Sequence, residues 1–224
     1  NDGDMDLVLG NEGENLHYLP SEQRPMSMYI NDFDNNGTIE QITTMRKNGK
    51  DYPLHQKKEI TAQMTSLKKQ NLKASDYASR FIDEIVSPES LKNAIKKEVS
   101  YSQSVIAIND GKGNFSFKAL PYQTQLSCVC DILATDLNKD GLADLIMAGN
   151  NFEFKPQYSQ LDANYGNVLL NTGGDNFDWQ NYGKSGFFIK DEVKQLATFS
   201  DKNGKTFVIA AINDKKPKIF ELNN

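Results

Sequence analysis

Residues 127–149 read SCVCDILATDLNKDGLADLIMAG, and this pattern indicates the architecture of the chain. The runs on either side of its centre, residues 127–134 and 145–148, are short and apolar, as expected for buried strands. Between them lies a loop of alternating oxygen-bearing side chains, a glycine and a closing acid: Asp136, Asn138, Asp140, Gly141 and Asp144. The stretch therefore predicts an acidic loop that joins two strands of a hairpin.

The spacing of these side chains predicts a calcium site. Side chains at alternate positions can turn into one loop, and Gly141 allows the sharp reversal that wraps the backbone around an ion. Calcium takes several oxygen ligands and tolerates irregular geometry. We expect the ligands to be Asp136, Asn138, Asp140, the carbonyl of Leu142, and Asp144.

The loop differs from an EF-hand, which needs a glutamate at its twelfth position and a helix on each side. Here the twelfth position is Met147, and the flanking runs resemble strands. An alternative without metal stays open. In that alternative the loop is an acidic turn whose side-chain oxygens accept hydrogen bonds from nearby backbone amides.

Two further copies of the acidic loop occur. Residues 32–40 read DFDNNGTIE and precede the run QITTM. Residues 2–6 read DGDMD and precede LVLGN, so the chain begins inside this copy, which we expect to bind calcium poorly. The ligands expected from the second copy are Asp32, Asp34, Asn36, the carbonyl of Thr38, and Glu40.

A second pattern recurs, in which a short apolar strand is followed by a turn of glycine and asparagine and then by an aromatic residue. It occupies residues 105–115 and again 168–177. Glycine and asparagine supply the positive φ angles of tight hairpin turns. Ile108 corresponds to Leu170, an offset of 170 − 108 = 62 residues. Such a period favours repeated units of short strands, such as propeller blades.

Residues 54–100 interrupt the β pattern. The segment is rich in Lys, Glu, Gln, Leu and Ala, and Ser87 followed by Pro88 is typical of a helix start. We expect two or three helices inserted between strands of one blade, either as a cap on the propeller or as a partner-binding surface. The apolar residues at helical spacing are Ile60, Met64, Leu67, Tyr77, Phe81, Ile85, Leu91, Ile95 and Val99.

The acidic loops and the strands after them, residues 32–45 and 136–149, resemble the FG-GAP/VCBS repeat family of calcium-loop propellers, related to the integrin α-subunit head. Together with residues 149–166, they look like the C-terminal part of large bacterial VCBS-repeat proteins. The resemblance implies a mainly β fold, namely a partial or half β-propeller of four-stranded antiparallel blades with an inserted α-helical segment. It also implies an exported protein, extracellular, on the outer-membrane surface or periplasmic.

On this basis the chain is expected to contain four segments of one propeller domain. A half-ring leaves open sheet edges, so either two copies pair as a homodimer through the edge or the edge stays exposed. The segments are a partial blade and the first half of a blade with a calcium loop (residues 1–53), the helical insertion (54–100), blades with the second calcium loop (101–185) and a degenerate C-terminal blade (186–224).

Composition and motifs argue against several classes of function. The formal net charge is −5 and the basic residues are dispersed, whereas nucleic-acid binders carry a basic stripe. No apolar run approaches the ~20 residues that cross a bilayer. We find no GxSxG, HExxH or phosphate loop and expect no enzyme. The alternative is a calcium-dependent polysaccharide-degrading lyase or glycosidase of propeller fold.

A protein or carbohydrate ligand at the cell surface is the expected partner, because aromatic side chains fall in polar loops. Flat aromatic rings stack on sugars or anchor protein partners. Two other readings stay open: the rings fill space between blades, or the protein is a scaffold. The candidate aromatic residues are Phe152, Phe154, Tyr158, Tyr165 and Trp179.

The cysteines, Cys128 and Cys130, alternate with Val129 in the strand before the loop. Alternation predicts that both lie on one face of the strand, together with Ile132, as two small buried thiols.

Overall fold

The computed structural model of the protein describes residues 3–70, 73–153 and 160–222. In these residues strands predominate over helices, and the sheets are antiparallel, which confirms the expected mainly β fold. The chain divides into two compact units. Unit 1 contains Asn1–Leu19 and Ser102–Asn224, and unit 2 contains Pro20–Tyr101.

The strands and helices of the described residues are numbered in chain order. The strands are β1 (Leu7–Leu9), β2 (Met26–Asn31), β3 (Glu40–Lys47), β4 (Lys50–Pro53), β5 (Ile95–Val99), β6 (Val105–Asn109), β7 (Phe115–Ala119), β8 (Val129–Thr135), β9 (Asp144–Gly149), β10 (Asn167–Gly173), β11 (Asn176–Gln180), β12 (Val193–Ser200), β13 (Thr206–Ile212) and β14 (Lys218–Glu221). The α-helices are α1 (Lys57–Gln63), α2 (Leu67–Gln70), α3 (Ala74–Ala78), α4 (Pro88–Asn93) and α5 (Tyr182–Ser185).

The described part of unit 1 forms three sheets, with strand orders β1-β6-β7, β11-β10-β9-β8 and β12-β13-β14. Every residue of β9 is buried, because its side chains alternate between two cores. Leu145 and Met147 join a cluster with Ile106 of β6, and Ile146 joins one with Val208 of β13. Burial on both faces explains why β9 has an uninterrupted apolar sequence. The four-stranded sheet therefore lies between the two three-stranded sheets.

Both hairpins expected from the glycine and asparagine turns are confirmed. Strand β6 pairs with β7, so that Asn109 lies opposite Phe115. Strand β10 pairs with β11, so that Asn171 lies opposite Phe177. The two turns thus occupy equivalent positions in neighbouring sheets of unit 1.

Unit 2 is built on one four-stranded sheet of order β4-β3-β2-β5. Helices α1 to α4 separate β4 from β5 in the chain, so helices are inserted between strands of one sheet as predicted, but the described residues contain four short α-helices there and not two or three. Ser87 accepts a hydrogen bond from the amide of Ser90 at 3.1 Å and caps α4, with Pro88 in the first turn as predicted. No helix of the described residues is both long and apolar enough to cross a membrane.

The core of unit 2 lies between β3 and the helices. Ile42 of β3 is fully buried there, with 0% of its surface exposed. Most of the apolar positions at helical spacing face this core. Helices as short as these are marginal in isolation, so packing against the core holds them in place. The buried residues contacting one another are Phe33, Ile42, Ile60, Met64, Leu67, Tyr77, Ile82, Ile85 and Val86.

The prediction that the last helix continues through Ile95 and Val99 is wrong. Helix α4 ends at Asn93, and β5 is an edge strand paired with β2. All residues of β5 are exposed, so their apolar spacing does not mark a buried helix face. Strand β5 forms backbone hydrogen bonds with β2, which is distant from it in the sequence. These bonds outweigh a weak local helix propensity.

The expectation of two buried thiols on one strand face is also wrong. The pairing of β8 with β9 shifts between Val129 and Asp131, so Cys130 is the extra residue of a β-bulge. The bulge breaks the alternation on which the expectation depends. Cys128 is buried, whereas Cys130 is exposed.

We expect the substitution Ile42→Ala to destabilise unit 2. It removes buried methyl groups and leaves a cavity beneath the helices, at a cost of roughly 2–5 kcal/mol in the free energy of unfolding. Ile95→Ala is the matched control, because Ile95 lies in the same sheet but is 59% exposed. Urea unfolding followed by circular dichroism should give a lower midpoint for Ile42→Ala. Equal shifts in the two variants would contradict the assigned core.

Candidate metal centre

Both complete acidic loops connect neighbouring antiparallel strands. The Asp32 loop (residues 32–40) joins β2 to β3 in unit 2, and the Asp136 loop (residues 136–144) joins β8 to β9 in unit 1. In each loop the closing acid is also the first residue of the following strand. Strands therefore flank both loops, as predicted, where an EF-hand would have helices.

The first aspartate of each loop accepts hydrogen bonds from two backbone amides. Asp32 accepts from Asn36 at 3.0 Å and from Gly37 at 2.8 Å. Asp136 accepts from the amides four and five residues further on, at 3.2 Å and 2.9 Å. Both carboxylates thus draw the backbone into the same closed turn.

The side chain at the fifth position of each loop accepts a hydrogen bond from the residue at the seventh position, which is expected to give the carbonyl ligand. Asn36 accepts from the amide of Thr38 at 2.8 Å, and Asp140 accepts from the amide of Leu142 at 2.8 Å. These bonds restrict the peptide groups around both predicted carbonyl donors. Coordination by the carbonyls themselves stays a prediction.

The closing acid of each loop is buried, with 2% of Glu40 and 0% of Asp144 exposed. Glu40 accepts from the amide of Phe33 at 2.8 Å, and Asp144 accepts from the amide of Leu137 at 2.8 Å. In both loops the donor is the residue directly after the first aspartate. The loops therefore share one hydrogen-bond scheme although one closes with glutamate and the other with aspartate.

The backbone angles of the loops also agree. Asn35 and Gly37 have φ angles of 55° and 86°, and Lys139 and Gly141 have φ angles of 62° and 85°. An added Cβ at either glycine would meet no atom within 4 Å, so glycine is needed for its positive φ and not for space. The sequence pattern therefore encodes one backbone conformation twice.

The Asp32 loop gathers three carboxylates. Asp32, Asp34 and Glu40 each offer one oxygen, and these atoms all lie within 4.8 Å of one another. Asp34 Oδ2 accepts from the hydroxyl of Ser66 at 3.2 Å. Asp34 Oδ1 is buried and has no hydrogen-bond partner among the described residues. An unsatisfied buried carboxylate oxygen is costly, and a hard cation bound among these oxygens would remove that cost.

The Asp136 loop also has three carboxylates but arranges them differently, because Asn138 stands where the Asp32 loop has Asp34 and Asp140 stands where it has Asn36. The Asn138 amide donates to Asp140 Oδ2 at 2.8 Å. A neutral donor thus partly satisfies the negative charge of Asp140. In the part of the chain that the structure describes, only the Asp32 loop brings three acidic side chains close enough to hold a metal ion.

The hydrogen bonds of the metal-free alternative are present in both loops. They do not exclude a cation, because an ionised carboxylate has about four lone-pair sites and each backbone amide uses one. The donor set of the Asp32 loop consists of oxygen atoms in irregular positions, which fits calcium better than zinc or copper. The residues present therefore fit calcium. A loop that binds calcium should be stabilised by the ion, whereas a metal-free turn should not respond to it.

The closing acid makes a second contact that the loop pattern does not predict. Asp144 Oδ1 accepts from the amide of Asn171 at 2.8 Å, and Asn171 Oδ1 accepts from the amide two residues on at 2.9 Å. In the incomplete N-terminal copy, Asp6 accepts from the amide of Asn109 at 2.9 Å. Asp2 lies outside the described residues. The signal in the sequence that could have indicated these contacts is the asparagine at the corresponding position of each repeated strand, Asn109 and Asn171, 62 residues apart.

Tyr165 and Trp179 form part of an aromatic cluster with Tyr182 and Phe188. The ring centroid of Tyr182 lies 6.3 Å from that of Tyr165, 5.4 Å from that of Trp179 and 5.2 Å from that of Phe188. Lys190 Nζ lies 5.3 Å from the ring centroids of Tyr165 and of Phe188. We call these four rings and Lys190 the aromatic cluster.

The prediction that Trp179 lies in a polar loop is wrong. Trp179 lies in β11 and not in a loop, and its indole nitrogen donates to Asn167 at 3.0 Å, so that its ring is held as a wall of the cluster. Phe152 is half-buried after β9. Phe154 and Tyr158 lie outside the described residues.

Comparisons with protein-family models, with curated proteins and with solved structures give no match to this chain.

We expect Asp144→Asn to lower the stability of unit 1 even when a chelator is present. An asparagine has one side-chain oxygen, so the amide of Leu137 or Asn171 would lose its acceptor, at a cost of roughly 1–3 kcal/mol. The control is Asp178→Asn, which changes an exposed carboxylate in the same sheet. Urea unfolding in EDTA measures the effect. Equal midpoints for Asp144→Asn and the wild-type protein would show that this carboxylate is not structural.

Proposed function

We propose that this protein is a calcium-binding β-repeat module of an exported or cell-surface protein, with a fold that is part of a β-propeller of the FG-GAP/VCBS type. The single observation that carries the calcium assignment is the convergence of Asp32, Asp34 and Glu40 within 4.8 Å. The buried and unpartnered Asp34 Oδ1 supports it. The common hydrogen-bond scheme of the two loops extends the proposal to the Asp136 loop.

Two features support a propeller. In unit 1 a four-stranded antiparallel sheet lies between two other sheets, and its strand β9 is buried on both faces. Propellers arrange four-stranded sheets radially, so each inner sheet packs against two neighbours. The repeated link from an acidic loop to a hairpin asparagine, seen at Asp6 and at Asp144, supports equivalent blades.

Calcium would act here mainly as a structural ion. Three carboxylates in one loop repel one another, and a divalent cation offsets this repulsion while it fixes the loop between two strands. Loops exposed on a surface and closed by few carboxylates bind calcium weakly, which suits the millimolar calcium found outside cells. Weak calcium binding of this kind supports the proposed exported location.

We expect calcium to raise the melting temperature of the wild-type protein and EGTA to reverse the effect. A ligand bound only to the folded state at 100 times its dissociation constant adds about 2.7 kcal/mol. Asp34→Asn should remove most of the increase that arises from unit 2, because it neutralises the carboxylate with the unpartnered oxygen. Asp83→Asn, which changes an exposed acid in the same unit, is the control. Differential scanning calorimetry gives the readout.

Parallel variants test the other loop. Asp136→Ala and Asp140→Ala should each reduce the calcium response of unit 1 and leave the response of unit 2 in place. Magnesium at the same concentration should have a smaller effect, because it requires near-ideal octahedral geometry. A wild-type melting curve that is identical in calcium and in EGTA would refute the metal assignment for both loops.

The aromatic cluster is the proposed ligand surface of the module. Tyr165 and Phe188 are 36% and 45% exposed, and Lys190 adds a positive charge beside their rings. Exposed rings held by neighbouring rings lose little conformational entropy on binding and are suited to stack on a sugar or to anchor a protein partner.

We expect the double substitution of Tyr165 and Phe188 by alanine to abolish ligand binding without unfolding unit 1. The control is Tyr122→Ala, because Tyr122 is 68% exposed and lies outside the cluster. Glycan-array binding and pull-down of surface proteins separate the two ligand classes. Equal binding by the double variant and the wild-type protein, with the control unaffected, would place the ligand surface elsewhere.

A further inference from the structure

The two cysteines lie at the β-bulge that opens β8. Their Sγ atoms are 3.9 Å apart, and neither thiol is in a disulfide. Cys128 is 7% exposed, whereas Cys130 is accessible to solvent. An exposed thiol therefore has a second, buried thiol directly behind it.

The backbone around this pair is fixed by contacts that do not involve sulfur. The carbonyl of Cys128 accepts hydrogen bonds from the side chain of Asn164 at 3.0 Å and from the amide of Asn150 at 3.3 Å. A Cβ added to Gly149 would lie 2.0 Å from the Cys128 oxygen and 2.9 Å from the Cys130 nitrogen. Glycine at this position thus allows β9 to approach the bulge, and the close approach keeps the two thiols together.

The contact between the two thiols favours ionisation of the exposed sulfur over the buried one. The hydrogen bond between the two thiols lowers the pKa of the Cys130 thiol to about 7, and the charge of Lys194 lowers it further. Burial and the charges of Glu192 and Asp131 oppose this decrease. The same contact with Cys130, together with burial, raises the pKa of Cys128. Near neutral pH, Cys130 is therefore the more readily ionised thiol, and Cys128 keeps its proton.

We propose that Cys128 and Cys130 form a thiol–disulfide exchange site that reacts with low-molecular-weight disulfides. The Cys130 thiolate attacks one sulfur of the external disulfide, and a Cys130 mixed disulfide forms while one external thiolate leaves. Cys128 then loses its proton to solvent and attacks Cys130 Sγ, which releases the second external thiolate. The protein loses two electrons and two protons as its thiols become one disulfide, and the external disulfide is reduced to two thiols.

The proposed order of attack follows from access and distance. A small disulfide can reach Cys130, which is exposed, before it can reach Cys128, which is buried. Closure of the protein disulfide shortens the sulfur separation from 3.9 Å to about 2.05 Å. A bulge lacks one set of ladder hydrogen bonds, and rotation of the two side chains at such a position does not require the pairing of β8 with β9 to break.

The test is to mix the folded, reduced protein with oxidised glutathione at neutral pH, quench with acid and measure intact mass. The wild-type protein should lose the mass of two hydrogen atoms, with the glutathione adduct present only transiently. Cys128→Ser should accumulate a stable glutathione adduct at Cys130, because the resolving thiol is missing. Cys130→Ser should react much more slowly. Far-UV circular dichroism verifies that each variant is folded.

Two further measurements keep the result decisive if a cysteine variant does not fold. Peptide mapping of the oxidised wild-type protein should locate the new disulfide within the peptide that contains Cys128 and Cys130. Lys194→Gln should slow the first step severalfold, whereas Lys202→Gln, which changes an exposed lysine in the turn between β12 and β13, should not. A persistent adduct on the wild-type protein, or equal reaction rates of the two cysteines, would overturn the proposal.

Discussion

A carboxylate can be buried at the start of a strand only if backbone amides satisfy its oxygens, and this constraint shapes both complete loops. Glu40 and Asp144 are the buried acids, and each accepts an amide hydrogen bond from the loop that precedes it. To present that amide, the loop must curl back over the end of its own strand. The remaining oxygens then converge on the inside of the curl, so the arrangement of the candidate ligands follows from the burial of one acid.

The same constraint connects the Asp136 loop and Asp6 to the rest of unit 1. The second oxygen of Asp144 accepts from Asn171, and Asp6 makes the matching bond to Asn109. One side chain thus fixes a loop, the end of its strand and the next hairpin together. Because an unpaired buried donor or acceptor costs more than a hydrogen bond gains, the acid and the asparagine are interdependent, which is why both recur along the chain.

The parts of the structure that could be predicted from the sequence are those with short-range causes. The loop conformation depends on amides within five residues of Asp32 or Asp136, so spacing and a glycine are sufficient to indicate it. The hairpins after β6 and β10 depend on turn residues, and the cap of α4 depends on Ser87. In each case the partners are close together in the sequence, and the local pattern therefore contains the necessary information.

The parts that could not be predicted depend on distant partners. Strand β5 has helical spacing and becomes a strand only because β2 offers a free edge. The bulge at Cys130 depends on the close approach of Gly149, and the unpartnered oxygen of Asp34 depends on how Ser66 and the core enclose it. The aromatic cluster likewise collects rings from separate segments. None of these features has a signature within a short window of sequence.

The pairing of β1 with β6 has a consequence for the order in which the chain folds. Leu7 lies opposite Ala107, and these residues are 107 − 7 = 100 positions apart, with the whole of unit 2 between them in the chain. Joining such distant segments carries a loop-closure entropy cost that falls as the intervening chain becomes ordered. Unit 2 has its own core, and can therefore fold before β1 reaches β6. If unit 2 folds first, less disordered chain separates β1 from β6. The N-terminal strand would then add to unit 1 as a late step.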